Sequence, residues 1–284
     1  MKKLIFPILS GLVLSCSSSK AQDHKFQEQV KKEFTISAST VLAVYNMDGF
    51  IKVEAYQGNK VIIEANTSIS AKTKTILEQG KDEFKLEFVQ TGDSVMAYLT
   101  GPYDTRPNKE KRNWKNNRNV EYRANVNFTI KVPNSLNLDL STINNGDVEV
   151  SNVYGFMKVR NINGAILVKN AKNANDIHTI NGDVNINYLT LPPDNSKFYT
   201  LNGELTAVFP NNLSADCSFK SFNGELYTDF ENVEKLPSKI TKVVKENNGS
   251  ITHKLNKDSS IRIGNGGKNL KFETFNGNIY IKKA

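Results

Sequence analysis

The chain has 284 residues and carries 37 Lys and Arg against 29 Asp and Glu, so its formal net charge is +8. It has only two Cys and three His, which excludes a disulfide-rich scaffold and argues against histidine-based catalysis. Asparagine is the residue in excess, with 36 copies, and the length fits one or two domains.

The first residues predict export. After two lysines, Leu4–Leu14 forms an apolar run that is shorter than the ~20 residues of a membrane span and fits a signal peptide over residues 1–15. Val13-Leu14-Ser15-Cys16 resembles the lipobox of bacterial lipoproteins, which implies that Cys16 is lipidated and anchors the chain in the membrane. The alternative is cleavage near Ala21, which would leave a soluble periplasmic or secreted protein.

Export changes how the charge is interpreted. Cleavage before Cys16 removes two lysines, so the mature charge is 8 − 2 = +6. An exported protein does not meet the chromosome, and we therefore expect no nucleic-acid partner. Residues 16–33 are expected to form a polar tether. Phe26, Val30 and Phe34 are spaced four apart, which predicts a short helix that caps the first coil of the following domain.

Asparagine-glycine pairs organise most of the chain, and their flanking residues recur with them. Thr179-Ile180-Asn181-Gly182-Asp183-Val184 matches Thr200-Leu201-Asn202-Gly203-Glu204-Leu205. The repeated unit is therefore a small hydroxyl residue, an apolar residue, Asn-Gly, any residue, and then an alternating apolar strand. The seven pairs lie at 145–146, 163–164, 181–182, 202–203, 223–224, 248–249 and 276–277.

This spacing predicts an all-β, single-stranded parallel β-solenoid, similar to a β-helix, over residues 34–284. Asn and Gly tolerate left-handed backbone and so mark tight turns. Stacked coils would pair parallel strands ~4.8 Å apart and align identical turn residues into asparagine ladders. Lys282 and Lys283 at the far end would discourage end-to-end pairing. The alternative is an antiparallel sandwich or meander, because Asn-Gly also marks simple hairpins.

The segment from about 101 to 123 interrupts the repeats as a basic insertion. It holds seven Lys and Arg against three Asp and Glu, which gives 7 − 3 = +4, and it contains the only tryptophan. As a protruding loop it could bind anionic glycan or lipid headgroups, with the indole stacking on a sugar or anchoring at an interface. The alternative is a solvated insertion without a ligand. The candidate binding residues are Arg112, Trp114, Lys115 and Arg118.

No catalytic, metal or cofactor site is expected. Asp183, Glu204 and Glu225 occupy the same position in three successive coils. They could hold Ca²⁺, but exposed acids can also splay outward, and the Gly-Gly-x-Gly-x-Asp calcium repeat is absent. Cys217 lies in a strand-like stretch and is expected to be a buried thiol. No nucleophile, base and acid recur in a pattern typical of a hydrolase.

Together these features resemble the putative-adhesin, β-strand-repeat family of bacterial envelope proteins, a domain of unknown function. The resemblance covers residues 34–284 and includes the early Asp48–Val53 copy of the unit and the extended Phe128–Pro133. It implies a β-solenoid with a surface or envelope role, and it provides no catalytic residues to transfer.

On this resemblance we expect a non-enzymatic outer-membrane or cell-envelope lipoprotein. It would act as an adhesin or scaffold for an envelope glycan or a protein partner. The alternatives are a polysaccharide-active enzyme built on a β-helix and an envelope-stress accessory protein. An enzyme would need clustered acids and bases in a groove, whereas the repeats carry mostly Asn, Thr and apolar residues.

Overall fold

The computed structural model describes residues 23–107, 120–247 and 250–284. Within these ranges it describes the side chains of all residues except 238–258. The chain is almost entirely β-structure. The elements of its first half are β1 (His24–Thr35), β2 (Val41–Tyr45), β3 (Ile51–Tyr56), β4 (Lys60–Ala71), α1 (Lys74–Glu83), β5 (Lys85–Thr91), β6 (Ser94–Thr100), β7 (Arg123–Pro133), β8 (Asn137–Ser141) and β9 (Val148–Ser151).

The second half adds twelve further strands. They are β10 (Phe156–Arg160), β11 (Ile166–Ala171), β12 (Asn173–His178), β13 (Val184–Tyr188), β14 (Ser196–Tyr199), β15 (Leu205–Phe209), β16 (Ala215–Lys220), β17 (Leu226–Thr228), β18 (Val233–Asn247), β19 (Ser250–Ile263), β20 (Lys268–Glu273) and β21 (Ile279–Lys283). Within the described residues, no helix is long and apolar enough to cross a membrane.

The strands form two large mixed sheets. Sheet A has the order β1-β4-β7-β3-β9-β11-β13-β15-β21-β17, and sheet B has the order β18-β19-β16-β20-β14-β12-β10-β8-β2-β6-β5. Along the strands buried and outward residues alternate, as expected where one face of each sheet is covered. The core therefore lies between the sheets, and its largest side chains include Tyr188, Phe209, Phe198 and Phe272.

Seven repeat units connect the sheets, each made of a sheet B strand, a turn and a sheet A strand. Neighbouring units pair in parallel in both sheets, as Ile166 with Val184 and Val159 with Ile177 show. The units are β2–β3, β8–β9, β10–β11, β12–β13, β14–β15, β16–β17 and β20–β21.

The all-β prediction is confirmed, but a single-stranded parallel solenoid does not describe both sheets completely. Antiparallel strands flank the repeat units at each end: β1, β4 and β7 in sheet A, β5 with β6 in sheet B, and β18 with β19 and β16 in sheet B. Asn248 and Gly249 lie outside the described residues, between Asn247 and Ser250, which pair antiparallel. The antiparallel pairing of Asn247 with Ser250 agrees with the hairpin alternative.

The units do not stack in chain order, contrary to the sequence prediction. β20 lies between β14 and β16, and β21 lies between β15 and β17. After the long β18–β19 hairpin, the chain returns to the repeat units. The last unit, β20–β21, therefore lies between the units β14–β15 and β16–β17. Lys282 and Lys283 therefore belong to an internal strand, where they pair with β15, and β17 is the edge strand of sheet A at this end.

The N-terminal end is capped by a strand, and the prediction of a short helix is wrong. Residues 24–33, expected to be a polar tether, belong to β1, which pairs along its whole length with β4. Phe26, Val30 and Phe34 are half-buried, and the Phe34 ring lies 6.4 Å from that of Phe88 across the two sheets. A spacing of four is even, so it places residues on one face of a strand as well as of a helix.

Candidate binding surface at the asparagine turns

The asparagines of six turns form one continuous ladder along an edge of the molecule. In each rung the Nδ2 of one asparagine donates to the Oδ1 of the asparagine before it in the ladder, over 2.7–2.8 Å. The predicted ladder is therefore present, in an order set by the inserted last unit. From the N-terminal end the asparagines are Asn144, Asn163, Asn181, Asn202, Asn276 and Asn223.

Buried hydroxyls beneath the ladder explain the small residue that begins each repeated unit. Thr179 Oγ1 donates to the Gly164 carbonyl of the preceding unit over 2.8 Å, and Thr200 makes the same bond to Gly182. Both threonines are fully buried. The hydroxyl therefore satisfies a turn carbonyl that would otherwise be buried without a partner.

The acidic residues after the glycines also contact the neighbouring unit. Asp147 accepts from the backbone N–H of Ala165, and Asp183 accepts from that of Glu204, each over 2.8 Å. Asp183 and Glu204 lie in adjacent units, as expected, but Glu225 does not occupy the unit after Glu204. Asn278 of the inserted unit lies between Glu204 and Glu225 and accepts from the Glu225 N–H over 3.1 Å, which separates the like charges.

An outward apolar row runs beside the ladder. Its members are the residues that immediately precede the ladder asparagines, and they end in two stacked phenylalanines with ring centroids 4.8 Å apart. Phe222 is 75% exposed, Phe275 45% and Ile162 37%. Ile143, Ile180 and Leu201 are half-buried. A line of half-buried and exposed apolar side chains indicates a contact surface. The row consists of Ile143, Ile162, Ile180, Leu201, Phe275 and Phe222.

Both basic elements of the chain join the fold at this same edge, which we call the turn edge. β6 ends at Thr100 and β7 begins at Arg123, so the basic insertion leaves and re-enters the fold beside the first turn. At the other end, Ser259 of β19 pairs with Phe219 near the end of β16. The preceding residues of β19 therefore extend beyond the turn edge, by roughly 30 Å at ~3.3 Å per residue. By sequence, residues 233–263 hold seven Lys and Arg against three acids, 7 − 3 = +4.

A cleft of about 650 Å³ lies where the basic insertion meets the first turns. Its lining includes Tyr103, Arg123 and Asn145. Asp48 accepts 2.7 Å hydrogen bonds from the side-chain amides of Asn125 and Asn145, which fixes its carboxylate at the cleft. Tyr103 is 42% exposed. An exposed ring beside amides and a carboxylate is suited to a polar ligand with an apolar face.

The remaining predicted residues are placed as follows. Cys217 is buried, as predicted, and burial raises the pKa of its thiol to about 12. His178 packs against Tyr199 with ring centroids 4.3 Å apart, and burial lowers its pKa.

In the described part of the chain, no three His, Cys, Asp or Glu residues are arranged to hold a metal. Cys16, Arg112, Trp114, Lys115 and Arg118 lie outside the described residues.

The sequence does not reveal that the apolar row faces outward, although each member is present in it as the apolar residue of the repeated unit. In a strand pattern an apolar residue indicates the core. Here it stands within the turn, where the backbone reverses between the two sheets and directs the side chain outward.

Comparison with known proteins finds no matching family model and no matching curated protein. Several solved structures align with most of the chain. A putative cell adhesion protein from Clostridium sporogenes has a TM-score of 0.39 and 12% identity over 92% of this chain and 100% of its own. A putative adhesin from Bacteroides fragilis has a TM-score of 0.29 and 8% identity, over 90% and 97%. A putative lipid binding protein from Parabacteroides distasonis has a TM-score of 0.26 and 12% identity, over 90% and 96%.

Proposed function

We propose that the chain is a non-enzymatic cell-envelope lipoprotein that acts as an adhesin or scaffold, and that the turn edge is its binding surface. The observation that carries this proposal is the concentration of features at one edge. The asparagine ladder and the apolar row lie there, and both basic elements join the fold there. On this proposal the seven repeat units are the coils of a two-sheet solenoid, and the antiparallel strands close its ends.

The geometry suits many weak contacts along a line. The ladder spans five intervals, about 24 Å at ~4.8 Å each. Along it the same polar and apolar groups recur at each step, so a long partner can gain affinity from repeated contacts that are individually weak. The basic insertion, with Arg112, Trp114, Lys115 and Arg118, would hold one end of such a partner.

A retention assay on isolated envelope fractions tests the binding surface. The mature chain carries Cys16→Ser, so that lipid anchoring does not contribute. We expect the triple variant Ile162→Ser, Leu201→Ser and Phe275→Ser to lose about tenfold in retention, because it removes apolar contacts at three steps of the row. Phe156→Ser with Leu189→Ser is the matched control. These residues are 56% and 47% exposed and lie on the opposite edge, where sheet A strands lead back to sheet B. Equal retention of the triple variant and the control would contradict the proposal.

Lipid anchoring is tested separately. We expect metabolic labelling with palmitate to mark the wild-type chain and to fail with Cys16→Ala, because the thiol is the attachment point that the lipobox implies. Membrane association after high-salt washing should be lost in the same variant. Equal labelling of both chains would contradict anchoring at Cys16 and favour cleavage near Ala21.

A further inference from the structure

We infer that the ligand of the turn edge is an extended, uncharged, hydroxyl-rich glycan strand that runs along the asparagine ladder. This inference rests on the proposed function and names the partner class of the same surface. Three properties of the edge support it: its repeated hydrogen-bonding groups, its adjoining apolar row and the sign of its charge.

The ladder leaves a regular set of hydrogen-bonding groups facing outward. An asparagine amide has two N–H donors, and each rung uses one of them. Among the described residues, Asn181, Asn202 and Asn276 have no partner for the second N–H, and all three are exposed. Each unit therefore offers a donor at a fixed place, repeated every ~4.8 Å.

Acceptors accompany these donors. Asp147 and Asp183 each use Oδ1 to accept a backbone N–H, and the second oxygen of each has no partner among the described residues. A carboxylate oxygen beside an amide N–H can accept from one hydroxyl while the amide donates to another. Vicinal hydroxyls on a sugar ring present this combination. The step between units is also close to the length of one residue in an extended β-linked glycan.

The apolar row supplies the second element of sugar recognition. A pyranose ring has an apolar C–H face, which packs on aliphatic and aromatic side chains. Leu201, Phe275 and Phe222 lie directly beside their ladder asparagines in sequence. A strand lying along the ladder would therefore contact amides on one side and apolar groups on the other.

Charge favours an uncharged strand over a polyanion along the ladder. Asp48, Asp147, Asp183, Glu204 and Glu225 all lie in the turns, and Lys and Arg are absent from these turn segments. Phosphate or carboxylate groups placed there would meet like charge. The basic elements join the fold at the two ends of the edge, and hydroxyl groups carry no such penalty along the acidic stretch between these points.

The test is calorimetric titration of the mature Cys16→Ser chain with uncharged cello- and chito-oligosaccharides of two to six sugars, and with polygalacturonate as the polyanion. We expect affinity for at least one uncharged series to rise about tenfold from two to six sugars, because each added sugar reaches another unit. Asp183→Asn with Glu204→Gln should weaken hexasaccharide binding at least about threefold, since charge-assisted hydrogen bonds are roughly twice as strong as neutral ones. Glu54→Gln, exposed at the far end of β3, is the control and should bind like the wild type.

Each remaining outcome overturns the inference in a distinguishable way. Binding of polygalacturonate alone would assign recognition to the basic elements at the ends of the edge. Retention of an envelope protein without oligosaccharide binding would overturn the glycan assignment and leave the proposed function standing. Failure to retain any envelope fraction would overturn both. Normal thermal unfolding of the double variant shows that a loss of binding is not a loss of fold.

Discussion

Glycine closes the turns because each unit lies directly against the backbone of its neighbour. A Cβ placed on Gly203 would overlap the carbonyl oxygen of Gly182, and one on Gly277 would overlap that of Gly203. A Cβ on Gly164 would likewise overlap the carbonyl oxygen of Gly146, and one on Gly182 would overlap that of Gly164. The repeated glycine is therefore required by close approach between units, and removing it would force the stack apart.

We expect Gly203→Ala to lower the free energy of unfolding by roughly 3 kcal/mol, because overpacking against a fixed backbone carbonyl has no flexible side chain to absorb it. Gly92→Ala is the matched control, since a Cβ there meets nothing within 4 Å, and it should change stability by less than about 0.5 kcal/mol. Urea denaturation of both variants measures the difference. Similar midpoints would show that the units are not in backbone contact at Gly203.

The sequence predicts the turns at residue level better than it predicts their partners. The recurrence of Asn-Gly indicates the ladder, but at the first full copy the ladder uses Asn144 and not Asn145 of the pair. Asn145 adopts a φ of 53° and so absorbs an extra residue in the left-handed region that asparagine tolerates. The hydrogen bonds of the threonine hydroxyls cannot be predicted from the sequence either, because their carbonyl partners belong to another unit.

At the scale of elements, the inserted last unit is the main departure from expectation. Recurrence of the motifs suggests stacking in chain order, since each unit is similar to the one before it. The long β18–β19 hairpin breaks that order, and its antiparallel pairing with β16 is specified by contacts between distant residues. Sequence periodicity predicts the structure of each unit but does not predict which unit lies beside it.

Engineered cysteine pairs test this order. Thr206 is in register with Tyr280, and Tyr280 is in register with Tyr227. We expect Thr206→Cys with Tyr280→Cys to form a disulfide on oxidation, because adjacent strands place the Cα atoms ~4.8 Å apart, within the range that a disulfide spans.

Thr206→Cys with Tyr227→Cys is the matched pair that stacking in chain order would join. In the observed order an intervening strand separates these residues by about 9.6 Å, and we expect no disulfide. Mass spectrometry after mild oxidation distinguishes the two pairs. Cross-linking of Thr206 with Tyr227 in preference to Tyr280 would contradict the inserted unit.

At the scale of the whole molecule, the turn edge lies between two groups of strands that extend beyond it. β7 and β4 extend past the first turn at the N-terminal end, and the β18–β19 hairpin extends past the last. The sequence predicts the presence and charge of the basic insertion but not that a second basic element lies at the same edge. That coincidence follows from strand direction: in every unit, sheet B strands end and sheet A strands begin at this edge.

Hydroxyl-radical footprinting of the mature Cys16→Ser chain, with and without the envelope fraction that retains it, tests the binding surface most directly. We predict that oxidation of Tyr103, Ile162 and Phe275 falls on binding, because these exposed side chains line the turn edge. Oxidation of Phe156 and Leu189 on the opposite edge should not change. Protection of the opposite edge, or equal oxidation of all five residues in the bound and free protein, would contradict the assignment of the turn edge as the binding surface.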